Sequence, residues 1–391
     1  MSMKSSVDEA CAFCVLTSRD VRSLELDREG RCHYCRETLR RQRAFTRSGD
    51  EARAILEEKL ERMRSEGEHK PYDCVAGISG GVDSSYVLLL LKRWGLRPLV
   101  VHLDNGWNAE LATANIETLV TRLGFDLRTR VLRWEEFRDL QRAYLLASVV
   151  DVEVPTDHAI LATLHEVSRE LGVRHIVLGT NVATEGLLPQ EWVWSKMDTL
   201  NLRSIHRRFG TLPLKTYPTL DFWKATYDFS IRKVEYFEPL NLVPYDKDRA
   251  KRELSEALGW RDYGGKHHES IFTRFYQARI LPDKFGIDKR KAHYASLVLS
   301  GTMTRAQALL ALSEPAYDPA LMQRDESFVL KKLGFSPGEF NEILKRPPVP
   351  HAAYPTYFKR HYAYHAKLVR ILSPLLALRR KWLGRRPAEV Y

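Results

Sequence analysis

The sequence predicts an α/β protein: a parallel sheet covered by helices on both faces, with a cysteine-rich module ahead of it and a helical region behind. Three observations carry this expectation. Short apolar runs alternate with helical periodicity between about residues 72 and 178, the pattern of strands buried on both sides. Four of the five cysteines fall into two C-x2-C pairs near the start. Beyond about Glu238 the strand signals fade and helical spacing takes over.

The elements follow in order. Cys11, Cys14, Cys32 and Cys35 have the spacing of a structural Zn²⁺ site, since two tight turns can close four thiolates into a tetrahedron with no open position. A zinc ribbon over residues 1–45 is too small to fold without metal. Residues 46–70 are highly charged, with Ala52, Leu56, Leu60 and Met63 at helical spacing, and read as a linking helix. Strands are expected at Tyr72–Ile78, Leu99–Leu103, Leu127–Leu132 and His175–Leu178. Helices are expected at Asp83–Trp94, Ala109–Leu123, about 135–149 and about 157–171, with Gly95, Gly124 and Gly172 as stops. Together these fill a nucleotide-binding domain over 71–237. Helical segments near 246–258, 268–280, 288–299 and 304–312 make a second domain over 238–345 that covers the mouth of the sheet. Arg346-Pro-Pro-Val-Pro350 marks a boundary, and 346–391 reads as a basic amphipathic tail.

The net charge of +11 points to anionic partners. Much of it lies between Lys359 and Arg386, where no acid interrupts the basic residues, so the body is close to neutral. No apolar run approaches bilayer length, and the first ten residues lack the apolar core of a secretory signal. With a zinc-type cysteine pattern, the expected location is the cytoplasm, with peripheral contact between the tail and the inner membrane.

The chemistry concentrates in Ser79-Gly80-Gly81-Val82-Asp83-Ser84-Ser85, between a buried strand and a helix. Glycines let the backbone approach a ligand, the helix start supplies unpaired N–H groups, and the serines add hydroxyls, which together suit a pyrophosphate. Neither a Walker A loop nor a G-x-G-x-x-G is present. Ser79, Asp83 and Ser84 are the candidate catalytic residues here, and the whole run from Ser79 to Ser85 is the expected ATP cradle. His102, Leu103 and Asp104 at one strand end, and Gly179, Thr180 and Asn181 at another, are expected in the same crevice. Each also has a plain structural reading, as strand residues or as a turn. Asp157 and His158 are either site residues or a helix start. Lys266, a further catalytic candidate, and Arg274 follow Gly264-Gly265 and suit an anion-contacting loop. The Lys289-Arg290-Lys291 run reads as a solvated face, and Trp192 and Trp194 as core.

The loop resembles the signature of the PP-loop ATP pyrophosphatases, which implies an adenine nucleotide alpha hydrolase-like, Rossmann-like fold and splitting of ATP between its α- and β-phosphates. The resemblance implies Mg²⁺ near Asp83. The order of zinc ribbon, loop, Gly179–Glu185, Gly259–Ser270 and Lys284–His293 resembles the N-acetyl sugar amidotransferases of O-antigen and nonulosonic-acid biosynthesis. That family implies conversion of a sugar acetamido group into an acetamidino group, with a sugar or sugar nucleotide as substrate. Its nitrogen comes from a separate glutaminase like that of histidine biosynthesis. The cysteine count agrees, because Cys74 lies inside a buried strand and the other four are assigned to metal, leaving no nucleophile for a built-in glutaminase. The same count argues against a tRNA thiolase but leaves a lysidine synthetase-like tRNA enzyme as the alternative.

Overall fold

The computed structural model describes residues 9–264 and 269–357. Lys266 and the basic run after Tyr357 therefore lie outside the described residues. The chain opens with the paired cysteines, which lead into α1 (His33–Phe45) and α2 (Gly49–Gly67). The core alternates β1 (Cys74–Ile78), α3 (Val82–Arg93), β2 (Pro98–Asp104), α4 (Glu110–Leu123) and β3 (Asp126–Val131). Then come α5 (Trp134–Leu146), α6 (Val154–Glu170), β4 (His175–Val177), α7 (Val182–Glu185), α8 (Thr199–Phe209), α9 (Phe222–Thr226) and β5 (Glu235–Phe237). Helices α10 (Lys247–Leu258), α11 (Ile271–Phe275, continuing with a wider turn to Phe285), α12 (Arg290–Leu299), α13 (Arg305–Ser313), α14 (Pro319–Leu333) and α15 (Pro337–Lys345) complete it.

All strand pairs are parallel, in the order β3-β2-β1-β4-β5. The chain builds outward from β1 to β3, then returns to the other side of β1 with β4. That reversal leaves a crevice beyond the carboxyl ends of β1 and β4, where ligands bind in open α/β sheets. The expected parallel sheet is thus present, with a fifth strand the sequence did not announce. Strand β5 is three residues long and begins on a charge, Glu235, too short for any alternation to register.

Alternation sorts β1 between two faces. Cys74, Ala76 and Ile78 pack with α3, α4 and α10, while Val75 joins Leu99, Val101, Leu164 and Val167 against α6. Helix α3 is buried along almost its whole length, because the sheet lies under it and α10 over it. The cysteine module, α5 and the C-terminal helices share one continuous core, which includes Cys14, Phe137, Phe275 and Phe340. Helices α14 and α15 extend the helical region beyond the expected segments. Each starts with a side-chain cap, Asp318 or Ser336, followed by proline at the first helical position. Past the prolines at 347–350 the chain stays docked: His351, Tyr354 and Thr356 are buried, and His351 stacks on Trp194 at 5.0 Å. Among the described residues no helix is long and apolar enough to cross a membrane.

Candidate active site

The turn after β1 is shaped by glycine. Gly80 has φ +83°, and a Cβ there would meet the Ala112 carbonyl oxygen at 2.6 Å. Gly179, at the end of β4, passes so close to the start of α3 that a Cβ would lie 2.7 Å from the Ser84 nitrogen. The carboxyl end of β4 and the first turn of α3 are therefore pressed together backbone to backbone. Ser79 and Ser84 hydroxyls lie 3.3 Å apart, and the Gly81 amide donates to Ser79 Oγ. Asp83 and Ser84 occupy the first turn of α3, whose amides have no upstream helical carbonyl to receive them.

Two tyrosines, a lysine and a tryptophan frame this turn. Tyr245 donates a short hydrogen bond to Asp83 Oδ1, and Lys247 Nζ lies 3.8 Å from Asp83 Oδ2. The Val82 amide donates to the Tyr263 hydroxyl at 3.1 Å, and the Trp260 indole donates to the Gly80 carbonyl at 3.1 Å. Burial, with the Asp83 charge adding to it, pushes the Tyr245 phenol well up, so it stays protonated and a donor.

These groups open on a cavity of about 390 Å³. Ser79, Gly81, Asp83 and Ser84 line it on one side, His102 and Leu103 on another, and Gly179 and Thr180 on a third. Ile78, Val101 and Leu178 give it an apolar patch. His102 is neutral: burial lowers its pKa, its Nδ1 donates to the Ile78 carbonyl at 3.1 Å, and Nε2 accepts from Asn108 at 3.0 Å.

The remaining expected residues act one step back. Gly80 shapes the turn, and Val82 and Ser85 are buried inside α3. Asp104 accepts from the Gly106 amide at 2.8 Å and from Asn108 at 3.3 Å, which fixes the loop that orients His102. Asn181 caps α7, its side-chain oxygen accepting from the Thr184 amide at 2.8 Å. His158 is a buried strut between the Lys196 carbonyl and the Leu220 amide. The anion contact expected of Arg274 is instead taken up within the chain, by a bidentate pair with Asp325 at 2.8 and 2.9 Å.

Asp157, one of the sequence candidates, belongs to a charged cluster in the same cavity whose other members carried no such expectation. Asp157 lines it together with Glu153, Lys196 and Lys289. Lys196 Nζ bridges Asp151 at 2.7 Å and Asp157 at 2.9 Å. Glu153 Oε2 accepts from the Thr273 hydroxyl at 2.6 Å. Burial and then the neighbouring Asp157 push the Glu153 carboxyl up to about 7. The available signal was the run Val149-Val-Asp-Val-Glu-Val-Pro-Thr-Asp157, in which acids interrupt valines in a segment too apolar to be surface. Of the run expected as a solvated face, Lys289 faces this cavity, Arg290 pairs with Asp288 at 2.8 Å and Lys291 with Asp20 at 2.6 Å. An adjoining chamber of about 510 Å³ shares Glu185, Gln277 and Lys289 with the first, and adds His293, Tyr294 and Tyr317.

The cysteines meet as expected. Their sulfurs lie within 4.8 Å of one another, with Cys11–Cys35 and Cys14–Cys32 at 3.8 Å. Four sulfurs about 2.3 Å from a central ion stand about 3.8 Å apart, so the set fits a tetrahedral metal. Backbone amides of Cys14, Cys32 and Cys35 point at these sulfurs, as suits thiolates. Cys74 is fully buried and burial pushes its thiol up, so it is inert.

Residues 269–368 match the family model described as LPS biosynthesis protein WbpG-like, C-terminal domain. This part of the chain is similar to that domain. Within the matched stretch lie Ser270, Thr273, Gln277 and Lys289, so it supplies one wall of the cavity that the Ser79–Ser85 loop opens. Upstream, the β1–loop–α3 unit places the Ser79–Ser85 run between a buried strand and a helix start. The tRNA(Ile)-lysidine synthases of two Thermus thermophilus strains are 37% identical over 270 residues, 61% of this chain and 48% of theirs. The chain thus spans about half the length of the curated relatives it matches. Among solved structures, an NMN synthetase from Francisella tularensis aligns at TM-score 0.37 and 12% identity, over 73% of this chain and 97% of its own. An ammonia-dependent NAD synthetase from Campylobacter jejuni aligns over the same shares at TM-score 0.32 and 16% identity. Likenesses this loose carry nothing to the site.

Proposed function

We propose that the chain is an ATP-consuming, AMP-forming enzyme that converts an acetamido group of a sugar or sugar nucleotide into an acetamidino group. The observation that carries this reading is the shared wall: one cavity is lined both by the Ser79–Ser85 loop and by the WbpG-like domain. A loop suited to pyrophosphate thereby faces residues from a domain associated with LPS biosynthesis.

The chemistry follows from the cavity. The triphosphate lies on the amides of α3 and the hydroxyls of Ser79 and Ser84, with the adenine near Val101, His102 and Leu103. Asp83 would hold Mg²⁺, a hard cation that neutralises charge on the phosphates. The acetamido oxygen attacks the α-phosphorus and pyrophosphate leaves. Nitrogen then adds to the activated carbon, and AMP departs in place of a poor leaving group. Positioning and charge stabilisation supply much of the rate. The nitrogen comes as ammonia from a separate glutaminase subunit, since the cysteines offer no nucleophile. The four buried thiolates would hold a structural Zn²⁺.

The test uses purified protein with ATP, ammonium chloride and a panel of acetamido and diacetamido sugars, free and as nucleoside diphosphates. The expected result is AMP together with a sugar product lighter by about one dalton, as oxygen is replaced by NH in the displacement. No AMP from any sugar would sink the reading. The lysidine synthases favour a second one, in which a tRNA base is activated and lysine supplies the nitrogen. AMP formed only when tRNA and lysine are both present, with affinity falling steeply as salt rises, would establish it.

A further inference from the structure

The reading above needs a nitrogen nucleophile. Free ammonia and the lysine side chain share one difficulty: near neutral pH both arrive as ammonium groups, whose lone pair is tied up by a proton. A cavity that uses either must bind a small cation and remove one proton from it.

Glu153 is placed for that task. It lines the cavity at 8% exposure. Its Oε2 is held by the Thr273 hydroxyl, and its Oε1 is buried with no hydrogen-bond partner. A buried carboxylate oxygen left unpaired is costly, and such groups mark places where a ligand completes the arrangement. The residue precedes the first turn of α6 yet makes no side-chain capping bond, so helix capping does not explain it. Asp157, one turn further along α6, lines the cavity beside it and already takes an ammonium group from within the chain, Lys196 Nζ at 2.9 Å. The charged groups acting on Glu153 are Asp157, Lys289 and Lys196.

We propose that Glu153 is the proton acceptor for the incoming nitrogen nucleophile, an ammonium group bound at its free oxygen in the wall shared by α6 and the WbpG-like domain. The inference rests on the AMP-forming reading of this cavity. One N–H bond of the ammonium group breaks and its proton passes to the Glu153 carboxylate. The freed lone pair forms a C–N bond to the adenylated carbon. The C–O bond to AMP then breaks, AMP carries off the electron pair, and the excess proton on nitrogen is lost to solvent. A carboxyl raised to about 7 is close to balance for this work at physiological pH, unlike an ordinary carboxylate.

The test has two arms on full-length protein. In the first, infrared difference spectra of wild type against Glu153→Gln follow the carboxyl band with pH. The band should titrate near 7, and ammonium chloride or L-lysine should lower its midpoint by about 1–3 units, as an adjacent cation does. A response to ammonium alone identifies ammonia as the source, and a response to lysine alone identifies the amino acid. Equal shifts with potassium chloride, or none with either amine, overturn the proposal. In the second arm, Glu153→Gln should retain acceptor-dependent pyrophosphate release in the first turnover, read as a burst, within about twofold. Nitrogen transfer should fall by about 100-fold or more, and the rise in rate through pH 7 should disappear. Transfer within twofold of wild type would also overturn it. Glutamine keeps the Thr273 contact and removes a buried acid, so the variant should melt no lower than wild type at pH 8. A variant that melts lower is replaced by Glu153→Asp, whose transfer rate should fall while first-turnover pyrophosphate release holds; unchanged transfer would overturn the proposal equally. If wild type releases no pyrophosphate with any acceptor, the AMP-forming reading fails, while the first arm still decides whether the carboxylate takes an ammonium group.

Discussion

Gly80 shows how tightly single atoms define the site. With φ +83° and the Ala112 carbonyl 2.6 Å from any added Cβ, alanine there must push α4 away or unwind the turn. Gly80→Ala is expected to cost roughly 1–3 kcal/mol and to abolish nucleotide-dependent thermal stabilisation, measured as a melting shift with ATP and Mg²⁺. Asp83 makes the opposite kind of prediction. Its carboxylate sits between a tyrosine donor and a lysine at the surface of the cavity, so Asp83→Asn should fold normally. It should lower pyrophosphate release on the order of 100-fold, the scale of removing one charge-stabilising group. Equal activity in the variant would remove the loop from the chemistry.

At the scale of elements, α5 anchors the loop that follows α8 through two buried carboxylates. Glu136 accepts from the amides of Lys215, Thr216 and Tyr217, and Asp139 from those of Thr211 and Leu212 and from His206. Despite the opposing effect of burial, these donors hold both carboxyls below their ordinary values. The native state therefore binds these protons more weakly than the unfolded chain. The stability they supply is complete above the unfolded carboxyl pKa of about 4 and is lost as pH falls through the lower native values. Asp139→Asn should melt lower than wild type at pH 7, by about 1–3 kcal/mol for the disturbed amides, and the difference should shrink in acid. The elements themselves were legible in the sequence where length allowed. Strands β1 and β2 are continuous apolar runs and declare themselves. Strand β5 does not, because three residues, one of them charged, carry no period. The caps Asp318-Pro319 and Ser336-Pro337 announce α14 and α15 in plain residue chemistry, inside the stretch over 238–345 expected to be helical.

For the whole molecule, the loop and the two strand ends were readable because the sheet gathers them from segments with strong local signals. The cluster around Glu153 was not. It joins α6, Lys196, Thr273 and Lys289, residues far apart in sequence that only tertiary packing brings together. Lys289 illustrates the difficulty, since a run of three bases reads as solvated until packing turns Lys289 into the cavity and pairs the other two. The cysteine module is tied into the same assembly. Arg305 donates to the carbonyls of Cys14 and Cys11, and Lys291, two residues after Lys289, pairs with Asp20. Metal analysis of purified protein should find about one Zn²⁺ per chain. Cys14→Ser should lower both metal content and melting temperature, and full occupancy in that variant would refute the site.

This tether gives the N-terminal fingers a reach well beyond their size. A zinc-selective chelator that leaves Mg²⁺ with the ATP would act outside the nucleotide cavity, yet it would slacken the strut behind Lys289 and so blunt turnover from afar. Inhibition by such an agent would then look non-competitive with ATP, and restoring the ion after brief exposure would bring the rate back.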